Sequence, residues 1–184
     1  MPDHLPAALI RPCTAQDLTA VQAIYAHAVQ HGTGTFELEA PPLQEVKRRY
    51  ADVLAKGLPW LVAESQGKVL GYAYANAFRP RPAYRFFLED SIYLAPDAQG
   101  QGLGRLLLAE LVARCTALGA RQLLAVIGDA QNKASIGVHR RCGFEHAGEL
   151  KHAGWKFGCW LNVVLMQRAL GPGAEQGAGP GGVR

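Results

Sequence analysis

Apolar positions along this chain switch between two spacings, one near four residues and one near two. Leu18, Val21, Ile24, Tyr25, Ala28 and Val29 recur three and four residues apart, which predicts an amphipathic helix. Thr14 and Asp17, just before it, have the spacing of a capping box. Leu43, Val46, Tyr50, Val53 and Leu54 form a second stripe, closed by Gly57. Residues 8–11 predict a short strand, and residues 60–64 and 69–75 a hairpin across 65–68. Residues 86–94 extend again, and the helical spacing returns in 105–118, with Leu103, Leu107, Leu111, Cys115 and Leu118 on one face. The aliphatic run 123–127 predicts a strand buried on both faces. Residues 132–142 predict a short helix stopping at Gly143, followed by strands 144–150 and 160–168. Trp60, Tyr72, Tyr74 and Trp160 are expected in the core. This order predicts helices layered on one sheet, an α/β (α+β) domain.

Composition narrows the class. At 184 residues, with 49% hydrophobic and 18% charged positions, the chain suits one globular domain and is short for two. Residues 1–8 read as an extension and 9–170 as the domain. Residues 171–184, dominated by Gly, Ala and Pro, read as a disordered tail. No apolar run approaches the ~18–20 residues that cross a bilayer, and the N-terminus lacks the basic-then-apolar order of a signal peptide. Cys13, Cys115, Cys142 and Cys159 make no Cys-x-x-Cys pair, which fits free, buried thiols in a reducing compartment, so the expected location is the cytoplasm. The formal charge of +4 comes without a Lys/Arg block. No nucleic-acid partner is expected, and a mild positive balance suits a polyanionic cofactor.

Chemistry enters at Gln99-Gly100-Gln101-Gly102-Leu103-Gly104, set between a strand-like and a helix-like run. Glycines that open a helix let a phosphate reach unpaired N–H groups at the positive end of the helix dipole. The dinucleotide fingerprint fails, because Gly100 and Gly102 are followed by Arg105 where a third glycine belongs. A P-loop fails too, since no Gly-Lys-Ser/Thr follows Gly104. The remaining readings are a different pyrophosphate site and a tight turn with no ligand.

Gln-x-x-Gly-x-Gly resembles the pattern by which the GNAT superfamily of N-acetyltransferases holds the pyrophosphate of coenzyme A. The order of elements over residues 9–170 is similar to that fold, and implies a central mixed, mostly antiparallel sheet flanked by helices. Asn132-Lys133-Ala134-Ser135, opening a helix that ends in Cys142-Gly143-Phe144, resembles the family's second signature. A finer likeness is to the phosphinothricin and methionine sulfoximine acetyltransferase branch. It rests on residues 60–64, 69–73, 89–96 and 125–128, on Phe36, and on Gly154-Trp155-Lys156-Phe157-Gly158-Cys159-Trp160. The resemblance implies acetyl-CoA as cosubstrate, held by Tyr93, Leu94, Gln99, Gly100, Gln101, Gly102, Leu103, Gly104, Asn132 and Ser135. It implies substrate contacts at Phe36, Arg79, Pro80, Glu89, Asp90 and Ser91, and a homodimer. Many superfamily members have a tyrosine four residues before the glycine of Gly-Phe. This chain has His139 there, as the phosphinothricin branch does.

Acyl transfer to an amine needs a neutral nucleophile, support for a developing oxyanion and a proton for the leaving thiolate. Glu89 is the candidate base, and Asp90, which alternates to the other face of the strand, the weaker choice. Backbone N–H groups of Tyr93 and Leu94 are expected at the oxyanion, and His139 as acid or thiol donor. Arg79, Arg81 and Arg85 cluster before Glu89, and Arg79 is the first choice to grip a substrate carboxylate. His27, His31, His146 and His152 form no metal-ligand pattern, and no metal is expected. The leading expectation is acetylation of the α-amino group of a small amino-acid-like substrate. Peptide or protein N-terminal acetylation and a non-catalytic CoA-sensing module are the alternatives. The arginines favour a free carboxylate over the first, and Glu89 with His139 argues against the second.

Overall fold

The computed structural model describes residues 8–179, 181 and 182; residues 1–7, nearly all of the expected N-terminal extension, lie outside them. The elements run β1 (Leu9–Pro12), α1 (Leu18–His31), α2 (Leu43–Ala55), β2 (Trp60–Ser65), β3 (Lys68–Ala77), β4 (Phe87–Leu94), α3 (Leu103–Ala117), β5 (Gln122–Gly128), α4 (Lys133–Arg141), β6 (Glu145–Lys156) and β7 (Cys159–Ala169).

The predicted stripes of α1 and α3 are their buried faces, whereas of the stripe expected on α2 only Val46 and Val53 are buried and Leu54, at its end, is exposed. Helix α1 buries Leu18, Val21, Ile24, Tyr25 and Val29. Helix α3 buries Leu103, Leu107, Leu108, Leu111, Val112 and Cys115. Thr14 and Asp17 cap a single 3₁₀ turn ahead of α1, where the Asp17 carboxylate accepts from the Thr14 N–H at 2.7 Å and pairs with Arg11 at 2.7 Å. Leu118 lies past the end of α3 and is exposed, not part of its buried face.

The seven strands form one sheet in the order β1-β2-β3-β4-β5-β7-β6. Every neighbouring pair is antiparallel except β4 and β5. That parallel ladder is short, running from Phe87↔Gln122 to Asp90↔Ala125, although β4 continues to Leu94 and β5 to Gly128. Beyond Asp90 and Ala125 the two strands part, and the sheet opens a gap between its halves.

Four expectations are revised. Val126, placed in a strand buried on both faces, is 39% exposed, while Leu123, Ala125 and Ile127 on the opposite face of β5 stay buried, so one face of the strand is open at this point. Trp160, expected in the core, is 59% exposed at the tip of the β6–β7 hairpin, edge-on to Trp155 at 5.3 Å. Strand β6 runs on to Lys156, past the expected end at 150. Two register shifts, at 146–148 and 150–154, carry it along the exposed edge of the sheet, where no apolar alternation marks it. The thiols of Cys13, Cys115 and Cys142 are buried, but Cys159 is exposed. Following Leu170, residues 171–176 form turns that are exposed except at Gly173, which is buried, and Arg85 Nε donates to Gly181 O at 3.1 Å.

Candidate active site

The open end of the sheet is where the backbone is available. Ala95 N–H donates to Leu70 O at 2.9 Å, and Phe87 O accepts from Phe78 N–H at 3.2 Å, so odd-numbered backbone groups of β4 face β3. Arg121 and Gln122 donate to Phe86 O at 2.8 and 3.1 Å, so the even-numbered groups face β5. Past Asp90, the N–H groups of Ile92 and Leu94 therefore point into the gap. Of the two amides expected at an oxyanion, that of Leu94 points into the gap and that of Tyr93 faces the β3 ladder. Tyr93 instead contributes its ring, 5.0 Å from Tyr25 and 5.4 Å from Tyr72.

The glycine turn follows directly from β4 through a 3₁₀ turn, Pro96–Ala98. Gly102 has φ +82 and caps α3 in the left-handed conformation, which glycine adopts without the Cβ penalty. A Cβ there would meet no protein atom within 4 Å. Leu106 N–H makes the first i→i−4 bond of the helix, to Gly102 O at 3.3 Å, so the amides of Leu103 and Gly104 precede the ladder. Gly104 differs from its neighbours in the turn, because a Cβ on it would contact Val138 of α4 at 3.5 Å. Gln101 is engaged with Asp97 O at 2.8 Å. Asn132 caps α4, its side chain accepting from Ser135 N–H at 3.1 Å.

Strand alternation separates the two acidic candidates. Glu89, Ser91 and Tyr93 lie on the α1 side of the sheet, aligned with Asn76, Tyr74 and Tyr72 of β3. Burial raises the pKa of Glu89, the Asp90 charge raises it further, and the Arg79 charge lowers it. A half-buried carboxyl with its pKa raised accepts a proton more readily near neutral pH than a free one does. Arg79 and Pro80 are exposed in the loop before β4, and the Arg79 guanidinium lies 4.9 Å over the Phe78 ring. Arg85 turns the other way, over Phe86 at 4.5 Å.

Asp90 points to the α4 side and is buried, as is His139. His139 Nε2 is 3.0 Å from Asp90 Oδ2, and Nδ1 is 2.8 Å from Ser135 O. A carbonyl can only accept, so Nδ1 carries a hydrogen. Burial opposes a charged ring here, but the hydrogen bond and charge of Asp90 outweigh it and raise the His139 pKa. Both ring nitrogens are occupied. His139 must leave Asp90 before it can donate from Nε2 to a thiolate.

Phe36 is half-buried in a loop that closes over the end of the gap. Thr33 Oγ1 donates to Asp129 Oδ2 at 2.8 Å, just past β5, and Thr35 Oγ1 is 2.9 Å from Tyr25 Oη. Lys156 Nζ donates to Gly32 O and Thr35 O, both at 2.8 Å. Sequence reasoning did not assign roles to Asp129 or Lys156. The sequence signal, an aspartate at the strand end and a lysine between apolar residues, was present but uninterpretable without the loop's path. Among the described residues, no group of three or more His, Cys, Asp or Glu could hold a metal, and no helix is long and apolar enough to cross a membrane.

A parallel pair that parts, strand amides turned into the opening and a glycine-opened helix meet at one end of the sheet, an arrangement that suits an anionic ligand. Residues 20–144 match the acetyltransferase (GNAT) family model. Over 167 residues the chain is 56% identical to a phosphinothricin N-acetyltransferase of Alcaligenes faecalis, covering 91% of this chain and 85% of that one. It is 40% identical over 168 residues to an L-methionine sulfoximine/L-methionine sulfone acetyltransferase of Pseudomonas paraeruginosa, covering 90% and 96%. The crystal structure of a Sinorhizobium meliloti phosphinothricin acetyltransferase in complex with AcCoA superposes with a TM-score of 0.93 at 47% identity, covering 96% of both chains. The chain belongs to the acetyltransferase (GNAT) family.

Proposed function

We propose that this enzyme transfers acetyl from acetyl-CoA to the α-amino group of a small amino-acid-like substrate of the phosphinothricin, methionine sulfoximine or methionine sulfone type. The carrying observation is Glu89: half-buried on β4 one residue before the strands part, with its pKa raised and the Arg79 charge close enough to act on it. Relatives named for phosphinothricin and methionine sulfoximine, at 56% and 40% identity, support the substrate class.

The residues divide the work. The Gln99–Gly104 turn and the first amides of α3 suit a pyrophosphate, and the Leu94 N–H suits the thioester carbonyl oxygen. Acetyl-CoA supplies the acetyl thioester. Glu89 takes a proton from the substrate ammonium, directly or through water. The freed amine then forms the C–N bond to the thioester carbon, and as the C–S bond breaks the second proton of the nitrogen passes to the departing thiolate, which leaves as the free thiol of coenzyme A. Arg79 suits the substrate carboxylate, with Phe36, Pro80 and Ser91 around it. His139, paired with Asp90, acts first as a positioning residue that holds α4, and with it Asn132 and Ser135, against β4. We assign the enzyme to the cytoplasm as a homodimer, where such acetylation detoxifies amino-acid analogues.

A thiol-release assay with acetyl-CoA over amino acids, sulfoximines, simple amines and short peptides tests the reading. Turnover is expected with phosphinothricin, methionine sulfoximine or methionine sulfone, far above the residual rate with their decarboxylated amines. Release with peptides alone, or with no amine at all, overturns it.

A further inference from the structure

Lys156 is 3% exposed, and its ammonium is held by two backbone carbonyls, those of Gly32 and Thr35. Burying a cation on neutral acceptors is unfavourable unless the geometry is fixed. Burial lowers the Lys156 pKa, while the Glu37 charge raises it. Both carbonyls belong to the loop that carries Phe36, more than a hundred positions away in sequence. Two residues earlier on the same strand, Gly154 gives the Phe36 ring its seat. A Cβ on Gly154 would lie 2.5 Å from Phe36 Cε2 and 3.0 Å from Cγ, inside the ring's van der Waals envelope. Gly128, at the end of β5, closes the other side, where a Cβ would be 3.2 Å from Phe36 Cε1. Strand β6 therefore fixes the loop twice, once by charge and once by shape.

We propose that Gly154 and Lys156 are specificity-determining residues that seat Phe36 as one wall of the amino-acid pocket. Phe36 stands at the open end of the gap, where Gly128 ends β5, and the same loop reaches the α1 side of the sheet through Thr35 and Tyr25. Glu89 shares that side. The width available to a substrate side chain is set by how deeply the ring sits, and that depth is set by the absence of a side chain at 154. The assignment rests on the amino-acid acetyltransferase reading proposed above.

The test compares Gly154→Ala, Phe36→Ala, their double variant and Lys156→Met in the full chain. Gly154→Ala should raise KM for the amino-acid substrate roughly tenfold or more, the effect of one methyl group in a closed pocket. Calorimetric affinity for acetyl-CoA should stay within about twofold. In the Phe36→Ala background the added methyl has nothing to displace, so the double variant should match Phe36→Ala alone. Lys156→Met should raise the same KM and speed amide hydrogen exchange across residues 32–37. Equal KM values for wild type and Gly154→Ala, or losses that add in the double variant, overturn the seat. If no amino acid is a substrate, the function proposed above has failed. The exchange measurement still decides the seat: unchanged protection in Lys156→Met and Gly154→Ala refutes it, and faster exchange over 32–37 upholds it. Should Gly154→Ala not fold, Lys156→Met and Phe36→Ala carry the same two readouts.

Discussion

Asp90 Oδ2 and His139 Nε2 meet at 3.0 Å in the interior, 49 residues apart in sequence. Asp90 is also the last residue of β4 paired with β5, so the contact sits at the apex of the opening. One hydrogen is shared between carboxylate and ring, and the other is fixed on Nδ1 by Ser135 O. The pair thus joins α4, which flanks one side of the gap, to the strand that forms the other. Asp90 Oδ1 is buried with no hydrogen-bond partner among the described residues, so the carboxylate depends on this one side-chain bond.

Removing either partner should be costly and removing both should be little worse. Asp90→Asn or His139→Gln alone is expected to lose roughly 3–5 kcal/mol, as for a buried pair left half-made. The double variant should fall well short of the sum in chemical denaturation. Because the folded pKa of His139 is raised, its contribution is fully present below the unfolded value of 6.5 and is lost as pH rises through the folded pKa. The melting-temperature gap between wild type and His139→Gln should therefore shrink as pH rises from 6.5 through the raised folded pKa. Acetyl-CoA affinity should weaken in both single variants. A pure kcat defect with unchanged affinity would instead make His139 the acid.

What the sequence made legible was periodic. The stripe from Leu18 to Val29 and the alternation of Glu89 against Asp90 follow from helical and strand repeats, and the structure keeps both. Gly102 was legible because a strand feeding a glycine-opened helix has few uses. The partnership of Asp90 with His139 was not, since nothing local tells a strand residue which helix will cross it. Lys156 and Gly154 lie on β6, an exposed edge whose register shifts erase the alternation a reader would follow. Trp160 was misplaced because its size argues for burial while its position at a hairpin tip, invisible in the pattern, decides otherwise.

Gly102→Ala isolates the phosphate site from packing. A Cβ at this position touches no protein atom, so the fold should lose only the ~1–2 kcal/mol of a left-handed non-glycine residue. Acetyl-CoA binding should nevertheless weaken about tenfold, and Gly102→Asp should weaken it further by placing an anion at the helix N-terminus. Gly104→Ala should cost the fold less, since no left-handed backbone is needed there and the added Cβ would meet Val138 at 3.5 Å, an ordinary contact distance. Calorimetric affinity equal to wild type in folded Gly102→Asp removes the pyrophosphate from this turn.

Arg79→Ala should raise KM for the amino acid roughly tenfold to a hundredfold, the loss of a charge-assisted hydrogen bond of ~1.5–3 kcal/mol, with KM for acetyl-CoA little changed. Equal loss of activity on the substrate and on its decarboxylated amine would show that Arg79 does not bind the carboxylate.

Glu89→Gln keeps the outline of the side chain and removes only its ability to accept a proton. General-base catalysis contributes about 10²–10⁴, so kcat should fall by that range while acetyl-CoA affinity holds. The defect should shrink as pH rises, because an amine of pKa ~10 then arrives increasingly neutral. Wild-type kcat/KM should fall on the acid side at a pH above the usual carboxylate value of 4.5, since burial and the Asp90 charge raise the Glu89 pKa. Arg79 opposes that shift, so Arg79→Ala should move the acid limb to still higher pH, an effect separate from its effect on KM. Near wild-type turnover in Glu89→Gln at neutral pH would leave the carboxylate a structural group and assign proton removal to solvent.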